Sequence, residues 1–230
     1  MADPWEHLQS TATEALNWLW DDLAKEGRES AVLAPLAAYS NAAAWLAGCM
    51  AMSDDAITRK LGAMLAGWID SAEHVNLLST LLDNERKVFI EDSLTANSVG
   101  EDIMFAASRW SQQMPGEVRD AGISVLAEMI RDALHGTPWN TVHWAAANLH
   151  VATGGRHAML SELHDASDVQ LEGQEFLRNV VAALRSGDHA SLDRFVTPPN
   201  PMCEMSPNDP KYSAAQSLWA ATAAAEASLH

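Results

Sequence analysis

Basic residues are scarce in this chain. Lysine and arginine number 14 against 31 aspartates and glutamates, giving a formal charge of −17. The only adjacent basic pairs, Arg59-Lys60 and Arg86-Lys87, sit among acidic residues. Binding a phosphate backbone or an anionic bilayer calls for a basic patch, so nucleic acid and membrane are excluded as expected partners. Cysteine is nearly absent: Cys49 and Cys203 cannot staple a disulfide scaffold. Strand formers are thin, no run alternates at period two, and no Asn-Gly or Asp-Gly hairpin turn occurs. Glycine-rich phosphate loops, dinucleotide turns and serine nucleophile elbows are missing. The opening Met1-Ala2-Asp3-Pro4-Trp5-Glu6 has neither the basic nor the apolar stretch of a secretory signal, so the cytoplasm is the expected location.

Charge is also absent from Ser30 to Ser53, a run long enough to span a bilayer. It is mostly alanine, holds Pro35, Ser40 and Asn41, and is followed by Asp54 and Asp55 rather than by lysine or arginine. Those features point to a helix buried among other helices.

What is plentiful is helical. Alanine, leucine, methionine, glutamate and glutamine dominate, and 48% hydrophobic against 20% charged residues rules out global disorder. The reading is an all-α protein of about ten short helices. Residues 1–196 form a single helical domain, 197–210 a proline-rich loop with five prolines, and 211–230 a last helix packing on the domain. Asp3-Pro4 opens the first helix, which stops near Gly27. A second fills Ser30 to Met52, and a third starts at Ser53-Asp54-Asp55. Another starts at Ser71 and breaks at Asp83-Asn84. Val88 to Asn97 is a short helix, Val99 to Met114 the next, and Glu117 to Leu134 follows. One capped by Thr137-Pro138 ends at Gly154-Gly155. His157 to His164 is short, and Asp168 caps a helix to Arg185.

A weak repeat runs through this pattern. In Val118-Arg119-Asp120-Ala121-Gly122-Ile123-Ser124-Val125-Leu126, a branched residue is followed by a small one at plus four and leucine at plus eight, all on one helix face. Ile57, Leu61 and Leu65 fit the same frame, as do Val169, Gly173 and Leu177, and Val142, Ala146 and Leu149 with the leucine one place early; Val88 with Ala96 fits poorly. A spacing of this order suggests stacked helix pairs. The Val118-Arg119 phrase, with Gly122 and Leu126, resembles the inner helix of HEAT repeats, especially the short phycobilisome-lyase type, over about half the chain. The resemblance implies an α-solenoid whose concave face binds another macromolecule. Without the repeat, the fold is an irregular helical bundle. Two enzymatic branches of HEAT-like proteins are disfavoured by residues: the hydroxylases that bind iron through His-Glu pairs, since no His-Glu step exists here, and the alkylpurine glycosylases, whose DNA groove is basic. No residue points to a bilin.

Few residues suggest chemistry. His143, His150, His157 and His164 fall seven apart, a spacing that separates side chains by about 10 Å on a helix, too far to share a metal. His164-Asp165, with His135 and Asp188 in flanking roles, is the alternative reading as a metal-dependent phosphohydrolase of HD type. Asp54-Asp55 and Glu101-Asp102 read as helix caps. Trp5, Trp18, Trp45, Trp68 and Trp144 fall on apolar stripes. Trp20, Trp110 and Trp139 are less committed by pattern, and with Met202 and Met205 of the proline-rich loop they are the candidate partner contacts. The leading expectation is an acidic protein-binding module of inhibitor or immunity type that masks a basic partner, with no cofactor and no metal. A third reading is a structural, oligomeric helical protein.

Overall fold

The computed structural model describes residues 3–26, 28–137, 139–198 and 203–229, without the side chains of 17–26 and 189. Among the described residues the protein is all-α, with eleven α-helices and no strand: α1 (Pro4–Glu26), α2 (Ser30–Leu36), α3 (Ser40–Ala51), α4 (Ala56–Ala66), α5 (Leu77–Glu91), α6 (Ser93–Gln113), α7 (Gly116–His135), α8 (Val142–Thr153), α9 (Ala158–His164), α10 (Glu175–Ser186) and α11 (Tyr212–Ala227). None is long and apolar enough to cross a membrane.

From α3 onward the chain zigzags between two layers. Helices α4, α6 and α8 pack side by side in one layer, with α10 on α8; α3, α5, α7 and α9 form the other. Along each layer a helix touches the next but one in sequence, and across layers it touches its neighbours. The α4–α6 contact is parallel: Lys60 reaches Ser98 and Asp102, and seven residues on, Gly67 lies against Ala106. The α6–α7 contact is antiparallel and close. A Cβ on Gly122 would lie 2.7 Å from the Ala107 carbonyl oxygen, the Ser111 nitrogen and the Trp110 Cβ, so the small residue of the repeat frame is where these backbones meet. Helix α11 returns to pack on α1, α2 and α3, closing one end. Its Glu226 accepts from the Asn41 side chain and the Ala42 amide, and Trp219 donates to the Val32 carbonyl.

Several boundaries differ from the sequence reading. The charge-free segment is two helices, α2 and α3. Pro35 has no N–H to give, the hydrogen-bond ladder stops at Leu36, and the chain turns at Tyr39. Helix α5 runs straight through Asp83-Asn84, because Asp83 lies on the solvent face and pairs with Arg86. The true break is Asp92, whose carboxylate accepts from the Thr95 amide and hydroxyl and so caps α6. Helix α10 begins at Glu175, not Asp168. Residues 168–173 are turns ending at Gly173 with φ +75°, and Val169 is exposed, so the repeat frame has no helix there. Helix α8 starts at Val142, because Trp139 turns inward ahead of it.

The proline-rich segment is tied down at its described ends. The Asn148 side chain accepts from the Thr197 amide at 3.1 Å and donates to the Thr197 hydroxyl at 2.8 Å. The Cys203 amide donates to the Ser30 hydroxyl, Met205 is buried, and Arg28 pairs with Asp209 at 3.0 Å.

Candidate functional site

The hairpin turns between α3 and α4 and between α5 and α6 form one edge of the molecule. The buried Arg59–Glu85 pair builds it: the guanidinium donates to Glu85 at 2.7 Å and to the carbonyls of Ser53 at 3.0 Å and Asp54 at 3.1 Å. That arrangement locks the turn before α4 onto α5, and Asn84 of α5 contacts the Met52 sulfur. Because α4 and α6 run parallel, Ile57 and Leu94 emerge at the same end. Large apolar side chains stand in solvent here: Ile90 is 86% exposed, Leu94 79%, Met52 73%, and Ile57 about half. Asp54, Asp55, Glu91 and Asp92 are exposed among them. The carboxyls of Asp55 and Asp92 are held below the usual range by hydrogen bonds from the Thr58 and Thr95 side chains and amides, so both stay ionised at neutral pH. An exposed apolar group rimmed by fixed negative charge is the composition of a contact surface.

The residues singled out from sequence fare differently. Trp110 and Trp139 are core residues rather than surface anchors. Trp110 is wedged at the α6–α7 crossing, and Trp139 packs its six-membered ring against Gly100 with its indole N–H donating to Asp132 at 3.0 Å. Sequence periodicity missed both because burial comes from helix packing: Trp110 is covered where α7 crosses α6, and Trp139 by Gly100 of α6. Met205 is buried as well, while Trp20 and Met202 lie outside the described side chains. The four histidines have four separate surroundings. His143 is buried between Trp144, Phe176 and Phe195, and burial lowers its pKa. His150 packs on Gly155, His157 caps α9, and His164 is exposed and bonded to Asp165 at 2.8 Å. His135 ends α7 and Asp188 caps the short turn at 189–191. Among the described residues, no three or more His, Cys, Asp or Glu side chains are grouped to hold one metal ion.

Sequence reading also placed Glu101-Asp102 at a helix start. Since α6 opens at Ser93, they lie in mid-helix, and Asp102 is buried at the side of a cleft. This cleft, of about 550 Å³, lies between α4, α6, α8 and the 194–198 segment. Helix α6 supplies a stripe at three- and four-residue spacing, Asp102, Phe105, Arg109 and Gln112, facing Trp68 and Trp144. The Arg109 guanidinium stacks 3.7 Å from the Trp68 ring centroid and donates to Gln113 at 2.6 Å. Burial lowers its pKa. Gln112 donates to Asn148 at 2.6 Å, so the clamp that holds Thr197 also fixes the cleft wall.

Burial pushes the Asp102 carboxyl up to about 7, with the Lys60 ammonium 3.6 Å away only partly offsetting it. A carboxyl whose folded pKa exceeds its unfolded value holds its proton longer in the native state, so stability falls as pH rises from the unfolded pKa through about 7. Asp102→Asn is therefore expected to melt at higher temperature than the parent at pH 8, with the difference shrinking as pH is lowered to 4. Melting curves that stay parallel across that range would remove the assignment.

No family model, curated protein or solved structure matches the chain.

Proposed function

We propose that this protein is an acidic protein-binding module that takes a basic partner on the edge formed by Met52, Ile57, Ile90 and Leu94. The observation that carries the reading is the exposure of these four side chains beside Asp54, Asp55, Glu91 and Asp92. Apolar anchors supply burial, and the acidic rim steers a cationic surface and sets register. The overall charge of −17 acts in the same direction at longer range. Masking a basic enzyme or toxin is the finer role that this chemistry suits. The stacked helix pairs, with Gly122 at the α6–α7 contact, support a HEAT-like scaffold for it.

The test is affinity capture from the native lysate, comparing the parent with an Ile90→Asp/Leu94→Asp variant. These positions are solvent-facing, so the variant keeps its melting temperature. The expected result is one basic protein retained at low salt, released at high salt and lost in the variant. Retention that ignores salt, a variant that keeps the same partner, or no specific partner would each defeat the proposal.

A further inference from the structure

Several of the ten arginines are held by carboxylates: Arg59 by Glu85, Arg86 by Asp83, Glu128 and Asp132, and Arg28 by Asp209. Arg109 is not held in this way: among the described residues no carboxylate lies within ion-pair distance of it, the Asp70 carboxylate acts on it only at longer range, its Nε is buried without a hydrogen-bond partner, and its side-chain hydrogen bond goes to the neutral Gln113. A half-buried guanidinium stacked on an indole, with donors left over, is arranged for a planar anion. Asp102 lies seven residues back on the same helix, about 10 Å along the axis by helical rise. It is more than nine-tenths buried at the cleft wall, and its Oδ2 accepts no hydrogen bond, the Lys60 ammonium being 3.6 Å off. Between these two ends the walls are Phe105, Trp68 and Trp144. The volume lies within the range of small-molecule sites.

We infer that the cleft binds a small aromatic carboxylate carrying a hydroxyl at its far end, with the carboxylate on Arg109, the ring against the wall formed by Trp68, Phe105 and Trp144, and the hydroxyl donating to Asp102. The rise of about 10 Å between the two positions on α6 leaves room for a monocyclic body between them. A carboxylate is preferred to a phosphate because Asp102 and Glu29 line the same cleft and would repel a dianion. The site is separate from the apolar edge and does not depend on the reading given to that edge.

Calorimetric titration tests this with 3-(4-hydroxyphenyl)propanoate, its neutral amide and 3-phenylpropanoate. The acid is expected to bind, the amide on the order of tenfold or more weaker, as for loss of a charge-assisted hydrogen bond. 3-Phenylpropanoate should be weaker than the hydroxylated acid. In Arg109→Gln the acid should fall to the level of the amide, and Arg109→Lys should recover part of the difference. Arg131→Gln, on the exposed face of α7, should bind as the parent does. Should Arg109→Gln unfold, the acid–amide comparison in the parent decides alone. Equal binding of acid and amide, no binding of the acid, or a folded Arg109→Gln with unchanged affinity would overturn the assignment.

Discussion

Arg59→Met is expected to cost about 3–5 kcal/mol of stability, the usual consequence of stranding a buried charge. Arg59 is 5% exposed and Glu85 2%. The guanidinium is the only described group that hydrogen-bonds the Glu85 carboxylate, whose second oxygen already has no partner. Burial raises the Glu85 pKa even with the arginine present. Removing the cation raises it further. The linkage sign follows: a raised folded pKa favours the native state at low pH and disfavours it as pH rises. The deficit of Arg59→Met should thus be smallest below the ordinary glutamate range, about pH 4, and grow toward neutrality. Arg59→Met/Glu85→Leu should recover most of the loss, because no unpaired charge remains. Urea denaturation of the two single variants and the double variant at acid and neutral pH checks this. A double variant as unstable as Arg59→Met would show that lost packing, not the stranded carboxylate, dominates. The same arginine holds the Ser53 and Asp54 carbonyls, so Arg59→Met should also weaken partner capture at the neighbouring edge.

Trp139→Ala should destabilise by about 3–5 kcal/mol, as large-to-small aromatic substitutions in cores do. The ring sits 2.9 Å from the position a Gly100 Cβ would take, and Phe89 meets it edge-on at 5.3 Å. Its N–H shares Asp132 with Arg86, so deletion removes both the filling of the α5–α6–α7 junction and one arm of a polar network. Trp139→Phe keeps most of the ring and loses the hydrogen bond, for a smaller cost of about 1 kcal/mol. Thermal unfolding of both variants distinguishes the two contributions. A Trp139→Ala effect within about 0.5 kcal/mol of zero, as for surface substitutions, would contradict the burial.

These two sites show where sequence reading stopped. Asp55 was legible as a cap because its partner Thr58 is three residues away. Asp92 was not, because Asp83-Asn84 offered an equally good local break, and only the Arg86–Asp83 pair on the helix surface shows why α5 continues. The apolar edge was invisible for a related reason. Ile90 and Leu94 look like members of ordinary helical stripes until the register of α5 and α6 turns them outward.

Composition and periodicity by themselves determined that the chain is helical, that its surface is acidic, and that α7 presents Val118, Gly122 and Leu126 on one face. These are local properties, set by side-chain preference and the 3.6-residue repeat. The tertiary structure alone decided that Trp110 and Trp139 are core and that Asp102 is buried in mid-helix. It also decided that Arg109 stacks on Trp68 and that Asn148 clamps Thr197, 49 residues on. Each depends on which helix packs against which, and that choice is made by the summed burial of many side chains across the two layers rather than by any segment alone.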